Sequence, residues 1–162
     1  MTEETPEERA RKHARDLNQA YADKFNDAAI TTGNIALKTA MLINGGAAVA
    51  LLALIGSLAA NIDMTGDVER VANSLLWFGV GVFLAALGLA ATYLASYFGV
   101  GDSHARVEIP EPPYIASTLE SESQAAASDL FRHLAIGVGG SSLLAFVVGI
   151  FVTRSAVIGL FQ

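Results

Sequence analysis

The feature that most constrains this chain is the placement of its charges. Between Ala36 and Ala60 the only charged residue is Lys38, between Val71 and Gly101 there is none, and between His133 and Gln162 there is only Arg154. Each tract is long enough for the roughly 20 apolar residues that a helix needs to cross about 30 Å of hydrocarbon. Charged segments separate the three tracts, which is the pattern of successive membrane spans. Charged residues make up 16% of the 162 residues and hydrophobic ones 52%, against an ordinary charged share of about 25%.

The sequence therefore predicts an all-α integral membrane protein. It has three transmembrane helices, an amphipathic cytoplasmic helix at the N-terminus and a second cytoplasmic helix before the third span. The expected segments are a cytoplasmic helix over 1–35, a first span over 36–60, a short non-cytoplasmic linker over 61–71 and a second span over 72–98. A cytoplasmic proline-containing loop and helix over 99–132, a third span over 133–157 and a tail over 158–162 complete the chain.

Local signals mark several of these boundaries. Thr5-Pro6-Glu7-Glu8 reads as a capping box with proline at the first helical position. From there Ala10, Ala14, Leu17, Tyr21, Phe25, Ala28 and Ile35 recur at close to helical spacing. Only Gly33 weakens a continuous path into the first span. This stretch reads as an interfacial surface helix or as a coiled or bundled cytoplasmic extension. In the second span Trp77 and Phe78 lie toward one end and Tyr93, Tyr97 and Phe98 toward the other, as interfacial aromatics do. Ile109-Pro110-Glu111-Pro112-Pro113-Tyr114 is incompatible with helix and reads as extended or polyproline-like. Ser117-Thr118-Leu119-Glu120 is a second capping box leading toward the third span.

Orientation follows from Lys and Arg. Arg9, Arg11, Lys12, Arg15, Lys24 and Lys38 belong to the N-terminal side, Arg106 and Arg132 to the second linker, Arg70 to the first linker and Arg154 to the tail. With the N-terminus inside, the cytoplasmic side holds eight and the far side two. The positive-inside rule thus predicts a cytoplasmic N-terminus and a non-cytoplasmic C-terminus in a bacterial inner membrane. The first 30 residues are charged and do not read as a signal peptide.

The first span contains Asn44-Gly45-Gly46-Ala47-Ala48. A charged helix running into a span with this motif resembles small, uncharacterised bacterial multi-span membrane proteins. The resemblance covers the N-terminal helix and first span and implies no activity. Three spans in a small chain are also the architecture of phage holins, an analogy of architecture and not of motif.

The most specific pattern lies in the third span, where Gly137, Ser141, Ala145, Gly149 and Thr153 recur every four residues. Small residues at this spacing let helices approach closely, either within one chain or between subunits. Ala36, Ala40, Asn44 and Ala48 form a similar strip in the first span, and Gly88, Thr92 and Ser96 in the second. Leu143, Phe146 and Ile150 are expected to face lipid. Asn44, followed by Gly45 and Gly46, needs a hydrogen-bond partner at its depth. It reads as an interhelical hydrogen bond, or as a pore-lining residue or hinge. Lys38 reads as snorkelling to headgroups, or as a cationic ring at an oligomer axis. Ser141 and Ser142 are expected to bond back to their own helix.

The cluster Arg9, Arg11, Lys12 and Arg15 fits anionic lipid headgroups or the acidic second linker. A net charge of −6 argues against nucleic-acid binding. The absence of cysteine excludes thiolate chemistry and disulfides. Asp129 and His133 are placed to share a hydrogen bond, but too few ligands surround them for a metal site. No cofactor motif, nucleophile elbow or phosphate loop is present, so no enzymatic activity is expected. The reading is a small self-associating membrane protein, with a pore, channel or membrane-permeabilising effector as its leading function. The alternative is a membrane scaffold or accessory subunit that recruits a cytoplasmic or membrane protein partner through the N-terminal helix and second loop. The bilayer and further copies of the chain are the expected partners.

Overall fold

The structure, a computed structural model, describes residues 5–60, 65–109 and 115–159. It is all-helical, with α1 over Pro6–Ala59, α2 over Thr65–Ala105 and α3 over Leu119–Gly159. A two-residue antiparallel ladder joins α2 to α3, with β1 (Val107–Glu108) pairing β2 (Ile115–Ala116). The proline segment 110–114 and residues 160–162 of the tail lie outside the described residues. Each helix contains a stretch long and apolar enough to cross a membrane, within Asn26–Ser57, Val71–Ala105 and Leu119–Gly159.

The chain divides after Ile35 into two compact units. In the first, the expected capping box closes the start of α1. The Thr5 backbone N–H donates to Glu8 Oε2 at 2.8 Å, and the Glu8 N–H donates to Thr5 Oγ1 at 3.3 Å. Helical structure continues through Gly33. Arg9 and Lys12 are exposed; the side chains of Arg11 and Arg15 lie outside those described.

In the second unit the α1 residues from 36 onward pack with α2 and α3. Ser142 meets Gly81, Ser128 meets Ala95, and Thr118 meets Ala105, so position falls along α2 as it rises along α3. Asn44 meets both Gly81 and Ser142, while Leu37 meets both Gly88 and Gly139. The 36–59 stretch therefore runs antiparallel to α2 and parallel to α3. Leu51, Val71, Phe78 and Ala156 form the apolar cluster at the end far from the ladder.

Two helix limits differ from the sequence expectation. α2 begins at Thr65 instead of 72, taking up much of the expected 61–71 linker. Glu69 near its start suits the positive end of the helix dipole. It then continues past Phe98 to Ala105, because α3 runs beside it and supplies partners there. The cap of α3 is displaced by one residue from the expected box. Thr118 Oγ1 accepts from the Ser121 N–H at 3.1 Å, and Ser121 Oγ accepts from the Thr118 N–H at 3.1 Å. Ser121 thus performs the reciprocal role usually given to Glu or Gln. Thr118 is held here because its hydroxyl also donates to the Ala105 carbonyl, at 2.9 Å.

Candidate functional site

Most of the buried positions follow one rule in all three helices, Ala40 of α1 and Ala91 of α2 standing outside it. In α3 they are Ser121, Ser128, Ala135, Ser142, Gly149 and Ala156, spaced by seven, with Ala145 added. In α2, Val71, Phe78 and Ala85 form one series of sevens, and Ser74, Gly81, Gly88 and Ala95 another. In α1, Leu37, Asn44 and Leu51 repeat at the same interval. A seven-residue repeat of core positions is the signature of helices packed as in left-handed coiled coils. Here most of the seam residues are small, as they are where helices approach closely in lipid.

At the centre of this packing is a polar node. Asn44 is fully buried. Its Nδ2 donates to the Ala40 carbonyl at 2.9 Å and to Ser142 Oγ at 3.4 Å. The Ser142 hydroxyl in turn donates to the Gly81 carbonyl at 2.7 Å. One residue from each helix is thereby linked. Asn44 Oδ1 has no hydrogen-bond partner and lies where a Cβ on Gly81 would sit. The other buried unpartnered oxygen among the described residues, Gln124 Oε1, lies near Gly101 of α2. A Cβ there would come within 2.9 Å of it. Both amide oxygens use a glycine of α2 as their floor.

The remaining expected residues fall in different places. Lys38 and Gly46 are exposed, and Gly45 is half-buried near Val82. The four-residue strip of the third span does not form one face. Gly137 and Ser141 are exposed, Ala145 and Gly149 are buried, and Thr153 is half-buried. Each four-residue step overshoots a full turn by about 40°, so the strip winds from the outer surface into the core. Gly149 is the member that matters for packing, since a Cβ there would stand 2.8 Å from Phe78 Cζ. In the first span Ala40 is buried while Ala36 is exposed, and in the second Gly88 is buried while Thr92 and Ser96 are half-buried.

Two side chains behave otherwise than expected. Phe146 does not face lipid but packs edge-on against Phe78, with ring centroids 5.7 Å apart; Leu143 and Ile150 are exposed. Ser141 bonds back to Gly137 at 2.9 Å, but Ser142 reaches across to α2 because Gly81 leaves room for it. Asp129 and His133 share a hydrogen bond as expected, with His133 Nδ1 2.7 Å from the Asp129 backbone oxygen, while the Asp129 carboxylate stands 4.0 Å from Arg132.

The signal that would have located the node is the run of small residues at intervals of seven in α3, together with Gly81. A search at intervals of four passes over both. Chemically, the arrangement fastens helices to one another. Ser128 also donates to a carbonyl of α2, at 2.8 Å from Ala95, so the α2–α3 seam is fastened at several heights.

The fold thus defines an all-helical chain with three helices long and apolar enough to span a membrane. No protein-family model, curated protein or solved structure matches it.

Proposed function

We propose that this chain is a multi-pass membrane protein, with its N-terminus in the bacterial cytoplasm, that serves as a membrane-anchored scaffold or accessory subunit. It recruits a protein partner through the N-terminal helix and the polar end of the α2–α3 hairpin, and it has no catalytic site of its own. Membrane residence is supported by Leu42, Leu52, Leu76, Phe83, Leu144 and Phe151, which stand exposed around the helices. Such an apolar surface suits lipid and would promote association in water.

The observation that carries the scaffold reading is where the intramembrane polar groups go. Asn44 and Ser142, the residues best suited to line an aqueous path, are consumed inside one protomer. A second reading, the self-associating pore, draws on Gly46, Gly137 and Ser141, which are exposed on the outside of the bundle. The mass of the purified chain in nanodiscs separates the two. The scaffold predicts one or two copies and an undisturbed membrane potential on overexpression. A defined ring of several copies, with a collapse of potential that substitution of Gly46, Gly137 or Ser141 relieves, would overturn it.

A further inference from the structure

We infer that Lys38 and Arg154 mark opposite edges of the hydrocarbon layer, their cations reaching the phosphate headgroups of the two leaflets. The hairpin beyond Tyr93 and Leu130 then projects into water as a rigid two-helix arm. This rests on the membrane reading above and deepens it by fixing the depth of insertion and the lipid chemistry at each edge.

The spacing of the two cations along the bundle gives the thickness. Asn44 and Ser142 touch and therefore share a height. Lys38 is six residues below that level on α1, and Arg154 is twelve residues above it on α3. Eighteen residues of helix correspond to about 27 Å. Both cations are exposed, and they are the only charged residues of the tracts 36–60 and 134–162. A long side chain at the edge of a slab extends its charge outward while its stem stays in the apolar layer. That spacing approaches the roughly 30 Å of a bilayer core. Gly81 of α2 shares the level of the node, and the exposed Tyr93 and Tyr97 lie twelve and sixteen residues from it on the Lys38 side, about 18 and 24 Å away. Both tyrosines therefore fall outside the level of Lys38, where interfacial tyrosines meet headgroups.

The arm has the interior of an aqueous module. Phe98 and Phe131 stack at 5.5 Å. Beyond them Asp102 pairs with Arg106 at 2.6 Å, and the Thr118–Ser121 cap and the β1–β2 ladder close the tip. From Leu130 to Leu119 the arm extends about 16 Å.

Because the sequence has no cysteine, single substitutions test this in the intact protein in sealed vesicles with a membrane-impermeant maleimide. Phe83, Ser103, Ser123, Leu144 and Ser155 are all exposed on the protomer, so protection at any of them reports a covering outside the protomer. Ser103→Cys and Ser123→Cys are expected to react from one side, and Ser155→Cys only from the other. Phe83→Cys and Leu144→Cys are expected to stay unmodified until the membrane is dissolved and the protein unfolded. An impermeant amine reagent should modify Lys38 from the side that labels Ser123→Cys. Protection of Ser103→Cys and Ser123→Cys equal to that of Leu144→Cys, or labelling of Ser123→Cys and Ser155→Cys from one side, would overturn this placement while leaving membrane insertion standing. Rapid labelling of Phe83→Cys and Leu144→Cys in intact vesicles would sink the membrane reading itself.

Discussion

The side-chain oxygen of Asn44 occupies the space in which any residue but glycine at position 81 would carry its Cβ. The two positions are on different helices, and each defines what the other must be. Asn44 supplies the polar group that ties α1 to α3, and Gly81 supplies the absence of side chain that lets it reach there.

Gly81→Ala should therefore destabilise the bundle by about 1–3 kcal/mol, as overpacking in a filled core does. The measurement is reversible unfolding in mild detergent. Asn44→Ala in the same chain should relieve much of that cost, giving a coupling on the order of 0.5–3 kcal/mol in a double-mutant cycle. Additive effects would show that the two residues do not share the space.

Ser142→Ala removes the hydroxyl that donates to the Gly81 carbonyl and accepts from Asn44. The expected loss is about 0.6–1.7 kcal/mol, the range for interhelical hydrogen bonds in membrane helices. Ser141→Ala, whose hydroxyl bonds only within its own helix, should change stability far less in the same assay.

The third-span strip offers a test at matched chemistry. Gly149→Ala drives a methyl toward Phe78 and should cost about 1–3 kcal/mol. Gly137→Ala meets nothing within 4 Å and should be neutral or gain up to about 1 kcal/mol from helix propensity. A loss at Gly137 accompanied by a change in particle mass would instead assign that face to a neighbouring copy.

Thr118→Ala removes the α3 cap and the bond to Ala105 together. About 1 kcal/mol is expected for the cap alone. Hydrogen exchange should rise in residues 119–124 and in the last turn of α2, with the span residues unaffected. Exchange confined to α3 would mean that the tie to Ala105 contributes nothing.

Much of the fold was legible because its signals are local. A capping box is complete within four residues, as Thr5 and Glu8 show, and an uncharged tract declares a long apolar helix without reference to any other part of the chain. The candidate site was legible only in part. Asn44 was identifiable because an amide within a long apolar tract demands a partner, but the partner lies 98 residues away and nothing near Asn44 names it. The strip at intervals of four was real as a pattern and did not form one packing face, since four residues exceed one turn of helix.

The sequence by itself determined three apolar helices, their approximate ends and the presence of a buried amide, all consequences of burial and of backbone hydrogen bonding along one chain. The tertiary structure decided which small residues meet. Packed helices sample each other every seven residues, so Ser142 and Gly149 turn inward while Gly137 and Ser141 are left outside. Only the mutual fit of α1, α2 and α3 gives Asn44 its place against Gly81.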